Sequence, residues 1–189
     1  KKNYIWSLIY KTIMKNINVY YSPDYLCDGY GVDTREKAGD IAASMLDRPI
    51  EGVVLVEPEP AGVDVVTRVH TRRYVNALMV GRPDSLADAN GIGEWSTDLR
   101  RSVFSMVGGC VESARFSLIH GVNSGSLSSG LHHARAGNGS GFCTLNGLAI
   151  AARDAGALRS PGIAGDGLAY INHPVVATTD TTNSGANTR

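Results

Sequence analysis

A short aliphatic run, Val53-Val54-Leu55-Val56, constrains the fold of this chain more than any other segment. Four consecutive branched or long aliphatic residues, left by Pro58 and Pro60, have the pattern of a buried parallel strand. Ile17 to Tyr21 has the same strand-like composition and ends in the turn signal Ser22-Pro23-Asp24. Between these two segments, Asp33-x-x-Glu36 has the form of a capping box. It opens a helical stripe of Ala38, Ile41, Ala42, Met45 and Leu46. Strand, helix, strand without a hairpin signature predicts an α/β fold with a mostly parallel sheet.

The rest of the chain extends this pattern. Arg72 to Val80 is predicted to form a short helix, and Gly81 to Trp95 a turn-rich surface loop. Thr97 is placed as the cap of a long helix with apolar positions Leu99, Val103, Met106, Val107, Cys110, Val111, Ala114 and Leu118. Gly108-Gly109 in its middle costs roughly 1 kcal/mol each relative to alanine, so the pair predicts close packing against another element or a break. Leu145 to Ala155 is predicted as a further helix, ended by Gly156. From Ser160 the character changes, and Thr178 to Arg189 is a Thr/Asn/Ser-rich tail without periodicity.

Composition excludes several function classes. With 189 residues the chain can bury one sizeable core, and 18 Lys plus Arg against 18 Asp plus Glu leave no basic excess for nucleic acid. Cys27, Cys110 and Cys143 form no C-x-x-C, which argues against a disulfide framework and a thiolate zinc site. A cytoplasmic location is the expectation, nuclear if the source is eukaryotic. Residues 1–15 are read as a poorly defined leader, too short to span a membrane and a poor signal peptide.

The chemistry concentrates in Gly130-Leu131-His132-His133-Ala134-Arg135 and, just downstream, Gly141-Phe142-Cys143. Imidazole is the side chain best suited to exchange a proton near neutral pH, and a tandem pair after a strand suits the ligand-binding edge of an open α/β sheet. Gly141 and Phe142 beside it can hold an extended aliphatic arm. His70 alone reads as a structural or capping histidine, and Cys143 as a weak candidate nucleophile. Gly137 to Gly141 lacks the spacing of a dinucleotide fingerprint and the ending of a P-loop, so phosphate binding is disfavoured.

The tandem-histidine block, Gly-Phe-Cys and Leu145-Asn146-Gly147-Leu148-Ala149-Ile150-Ala151-Ala152 together resemble the histone deacetylase and acetylpolyamine amidohydrolase family. Val69-His70-x-x-x-Tyr74-Val75 looks like that family's V-H-x-x-x-Y signature. Tyr20-Tyr21-Ser22-Pro23-Asp24 and Asp33-Thr34-Arg35 look like its first strand and helix. The resemblance runs from about Ile17 to Gly156 and implies a three-layer αβα, arginase/deacetylase-like fold. It implies a Zn2+ hydrolase that removes acetyl groups from lysine side chains or small amines. In that family pattern His133 is the general base and acid, His132 its electrostatic partner, and Gly141 and Phe142 the wall of the acyl-lysine channel. The implied partners are an acetylated protein or a small amine, with no nucleic acid and no membrane.

The same resemblance implies an Asp-x-His strand end that supplies two zinc ligands, followed by further metal and oxyanion residues. No Asp-x-His occurs in this chain, and the only histidine after Cys143 is His173, with Ile171 two positions before it. The expectation is therefore an incomplete domain. Residues 16–159 are its N-terminal part, and residues 160–189 an atypical tail, disordered or foreign to the fold. No metal ligand is assigned. A non-catalytic module that binds an acylated ligand or a protein partner is the alternative.

Overall fold

The computed structural model describes residues 16–27, 36–129 and 131–159. The expected leader, the Asp33 end of the capping box, Gly130 and the expected tail lie outside the described residues. Three parallel strands form the sheet: β1 (Ile17–Tyr20), β2 (Val53–Val56) and β3 (Ser124–Ser126), in the order β2-β1-β3. Val19 is in register with Leu55 on one side and Gly125 on the other. The helices are α1 (Glu36–Asp47), α2 (Val63–Val66), α3 (Arg72–Val80), α4 (Asp84–Ala87), α5 (Thr97–His120) and α6 (Gly147–Arg159), with a 3-10 turn at Pro23–Tyr25. Among the described residues, no helix is long and apolar enough to cross a membrane. The α/β architecture with a parallel sheet is as the sequence predicts.

α5 is the axis of the domain. At 24 residues it is about 36 Å long, and every residue from Ser102 to Val111 is buried. A helix buried on all sides in its middle cannot follow a single apolar stripe, which explains why Ser102, Phe104 and Ser105 are interior as well. The helix runs unbroken through Gly108-Gly109. A Cβ at Gly108 would overlap the carbonyl oxygen of Glu59, and one at Gly109 would overlap the Tyr25 hydroxyl. Close approach is therefore the reason for both glycines.

Several local expectations need correction. The α5 cap is Ser96, whose Oγ accepts the Leu99 N–H at 2.9 Å, and Thr97 is already helical. α6 begins at Gly147 and passes through Gly156 to Arg159. The segment from Gly81 to Trp95 contains α4 and the buried Asn90. β2 lies at the edge of the described sheet, so it is only partly buried, and Val54 is 40% exposed. Leu46, at the end of the expected α1 stripe, is 72% exposed.

β3 carries no sequence signal for a strand, because Ser-Gly-Ser has little β propensity. Its position is fixed by hydroxyl pairs instead. Ser124 Oγ donates to the Ser113 carbonyl at 3.1 Å and pairs with Ser113 Oγ at 2.9 Å. Ser126 Oγ lies 3.0 Å from Tyr25 Oη and donates to the Tyr20 carbonyl at 3.3 Å. Small residues also let α5 approach the sheet at Gly109.

Candidate functional site

All three strands are parallel, so the segments leaving their C-terminal ends share one edge of the sheet. The chain leaves β3 at this edge, with the Leu127 N–H on the Tyr20 carbonyl at 2.9 Å, and the histidine pair follows a few residues on in the sequence. Leu131 and Ala134 are buried, 5% and 6% exposed, and anchor the two sides of the turn that presents His132 and His133 to solvent. The imidazole rings lie against each other, with centroids 3.9 Å apart and planes at 45°.

Gly141 reaches the same place from a second turn. Ser140 and Cys143 exchange backbone hydrogen bonds at 3.0 and 2.9 Å, and the two residues between them have positive φ, 54° at Gly141 and 64° at Phe142. Positive φ at both central positions is the geometry of a type I′ turn. A Cβ at Gly141 would stand 2.8 Å from His133 Cγ, so the imidazole packs directly on the Gly141 backbone. The structure thus brings His132, His133 and Gly141 into one cluster. Phe142 follows immediately and is 65% exposed. A left-handed φ costs a residue with a Cβ roughly 1–2 kcal/mol, and Phe142 is held there by donating its N–H to the Asn90 carbonyl at 2.8 Å.

Asn90 is one of two supporting residues that sequence reasoning missed. It is 1% exposed, accepts the Ile92 N–H on Oδ1 at 2.7 Å and donates from Nδ2 to Thr144 Oγ1 at 3.0 Å. Gly139 fits between Asn90 and Tyr74, where a Cβ would come within 2.9 Å of both the Asn90 Cα and the Tyr74 hydroxyl. Burial pushes the Tyr74 phenol up in pKa, so it stays protonated and donates to the Thr144 carbonyl at 2.7 Å.

Asn146 is the second. Its Nδ2 donates to the carbonyls of His132 and Ala134 at 3.0 and 3.2 Å, and its Oδ1 accepts the Ala149 N–H at 3.0 Å. Its backbone N–H donates to His70 Nε2 at 3.0 Å. The only available signal was positional: asparagine is a favoured N-cap, and an apolar helix follows. His70 is 2% exposed, and because Nε2 accepts, the proton of the neutral ring sits on Nδ1. Nδ1 is buried without a hydrogen-bond partner. Burial lowers the His70 pKa, and the nearby carbonyls of Arg135 and Ala136 partly oppose that shift. His70 is therefore a structural base beneath the site, in keeping with its reading from sequence alone.

The remaining candidates separate from this cluster. Cys143 is buried, 5% exposed, which does not suit a nucleophile. In the segment 137–141 the Asn138 N–H donates to the Arg135 carbonyl and the Ser140 N–H to the Cys143 carbonyl, so these two amides serve the local turns. Among the described residues, no group of three His, Cys, Asp or Glu side chains is placed to hold a metal ion. The residues described here do not by themselves fit a zinc site.

The comparisons with known proteins bear on the family and the fold. A family model described as the histone deacetylase domain matches residues 32–163, well over half of the chain. An uncharacterized protein of Picosynechococcus sp. is 35% identical over 115 residues, covering 54% of this chain and 37% of that protein. The crystal structure of the HDA15 HD domain superposes with a TM-score of 0.61 at 19% identity, covering 76% of this chain and 44% of that chain. The chain thus spans 37% of the one relative's length and 44% of the other's. At that identity the structural likeness supports the fold alone.

Proposed function

The chain belongs to the histone deacetylase domain family, and on that premise we propose that it forms the proton-handling part of a deacetylase-like site acting on the amide of acetyl-lysine or an acetylated small amine. The observation that carries the proposal is the seating of the His133 imidazole on the Gly141 backbone, with the His132 ring 3.9 Å away. In this reading His133 takes a proton from the attacking water and returns it to the leaving amine. His132 supports it through the ring contact. Phe142, exposed beside Gly141, offers an apolar face to the aliphatic arm of the substrate.

Zinc held by a full set of family ligands would supply Lewis acidity at the carbonyl. No step is assigned through it here, since the described donors do not form a site. On this chain alone we expect little zinc uptake and little turnover.

The test is a titration of the chain with Nα-capped acetyl-lysine, followed by NMR. Saturable shifts at His132, His133, Gly141 and Phe142, reduced by His133→Ala, support the reading. No shift in those residues overturns it. Binding without acetate release, in the presence of added zinc, is expected of this chain, whereas acetate release rules out the non-catalytic alternative.

A further inference from the structure

We propose that Asn146 is the positioning residue of the histidine pair, fixing the His133 ring by holding the backbone on both sides of it. The inference rests on the reading of His133 as the proton carrier, but its geometry stands on its own. The Asn146 side-chain amide has two N–H donors, and both are used on carbonyls that bracket His133: His132 O at 3.0 Å and Ala134 O at 3.2 Å. These carbonyls close off the two-residue segment His133-Ala134, and two bonds to them restrain the direction in which the His133 side chain leaves the backbone. A single bond would leave a rotation free.

The anchor itself is rigid. Oδ1 caps α6 through the Ala149 N–H at 3.0 Å, and the Asn146 carbonyl accepts the Ile150 N–H at 3.0 Å. The Asn146 N–H is bound to the buried His70 at 3.0 Å. Helix, capping residue and histidine turn therefore form one connected hydrogen-bonded unit. The Leu148 N–H adds a longer contact to the Leu131 carbonyl at 3.4 Å.

No other side chain satisfies these demands. Aspartate keeps the capping oxygen but presents carboxylate oxygen to two carbonyls. Serine keeps a capping oxygen but cannot reach both carbonyls as donor. Glutamine is one methylene too long. This separation of capping from clamping makes the proposal testable without destroying the helix.

The experiment compares the unsubstituted chain with Asn146→Asp and Asn146→Ser by NMR, without substrate. In both variants the α6 amides of Ala149 and Ile150 are expected to keep their protection from exchange within about threefold. In the same samples the cross-peaks between the His132 and His133 rings, and between the His133 ring and Gly141, are expected to vanish. Cross-peaks that persist in both variants overturn the proposal. So does loss of α6 together with the turn in both, since that makes Asn146 a structural residue only. Because no substrate is present, neither result depends on the deacetylase reading, which fails or stands on its own titration.

Discussion

Arg115 of α5 grips Asp154 of α6 in a two-bond fork, with Nε at 2.6 Å from Oδ2 and an Nη at 3.0 Å from Oδ1. Arg68 adds a third bond to Oδ1 at 2.7 Å. Asp154 is only 2% exposed, so its carboxylate is desolvated and depends on these partners. Both arginines are partly solvated, which screens the pairing. Breaking a buried pair by deleting one partner costs about 3–5 kcal/mol. Solvation of the arginines places Asp154→Ala toward the lower end, about 3 kcal/mol, and chemical denaturation at constant m-value measures it.

Two glycine-to-alanine substitutions in helices are expected to act in opposite directions. At Gly156 a Cβ meets nothing within 4 Å, so Gly156→Ala gains about 0.5–1 kcal/mol from helix propensity alone. At Gly109 the same propensity gain is overridden by overlap with Tyr25 Oη and Ser126 Oγ. Overpacking of this kind costs about 1–3 kcal/mol. Melting curves of the two variants should move to opposite sides of the unsubstituted chain.

Stability is expected to fall with acidification through His70. Burial holds its folded pKa below the ordinary 6.5, so the unfolded chain binds a proton first as the pH drops. The His70 contribution is fully present above about pH 6.5, falls as the pH drops below that value, and is lost by the folded pKa. Protonation also removes the acceptor that Nε2 offers to Asn146. Tm measured at pH 7 and pH 5 should differ less in His70→Gln than in the unsubstituted chain. An equal difference in both would assign the acid sensitivity elsewhere.

The turn at Phe142 stores strain that substitution can release. Asparagine tolerates a φ of 64° far better than phenylalanine, and the 65% exposed ring contributes little burial. Phe142→Asn is expected to stabilise the chain by about 0.5–1 kcal/mol while weakening acetyl-lysine binding several-fold. Paired thermal melts and ligand titrations check the two signs together. Gly141→Ala, which places a methyl against the His133 ring, should reduce both properties.

The parts of the site that were legible in the sequence are those written locally. His132 and His133 are adjacent, and Gly141 lies in a glycine-marked turn a few residues on. α3 was equally legible because both ends carry their signals, Thr71 as the cap and Gly81 with φ of 76° as the terminator. Asn90 and Asn146 escaped because their roles depend on partners fixed by tertiary structure: Thr144 for one, His70 and the His132 carbonyl for the other. Gly156 misled because an exposed helix can tolerate one glycine at modest cost. β3 escaped because its stabilising contacts are hydroxyl pairs, and sequence patterning reads apolar alternation.

The makeup of β3 has a consequence for the way this domain tolerates change. A strand of aliphatic residues chooses its register by which face is greasy, and sliding it by two residues leaves that preference intact. Ser124-Gly125-Ser126 has no such preference to slide along. Its alignment is decided by directional contacts with Ser113, Tyr20 and Tyr25, each of which accepts only one position. β3 works as a keyed joint, and the histidine pair hangs from its end. Drift in the aliphatic strands can be absorbed by repacking, whereas replacing Ser124 or Ser126 would unlock the register of β3 itself.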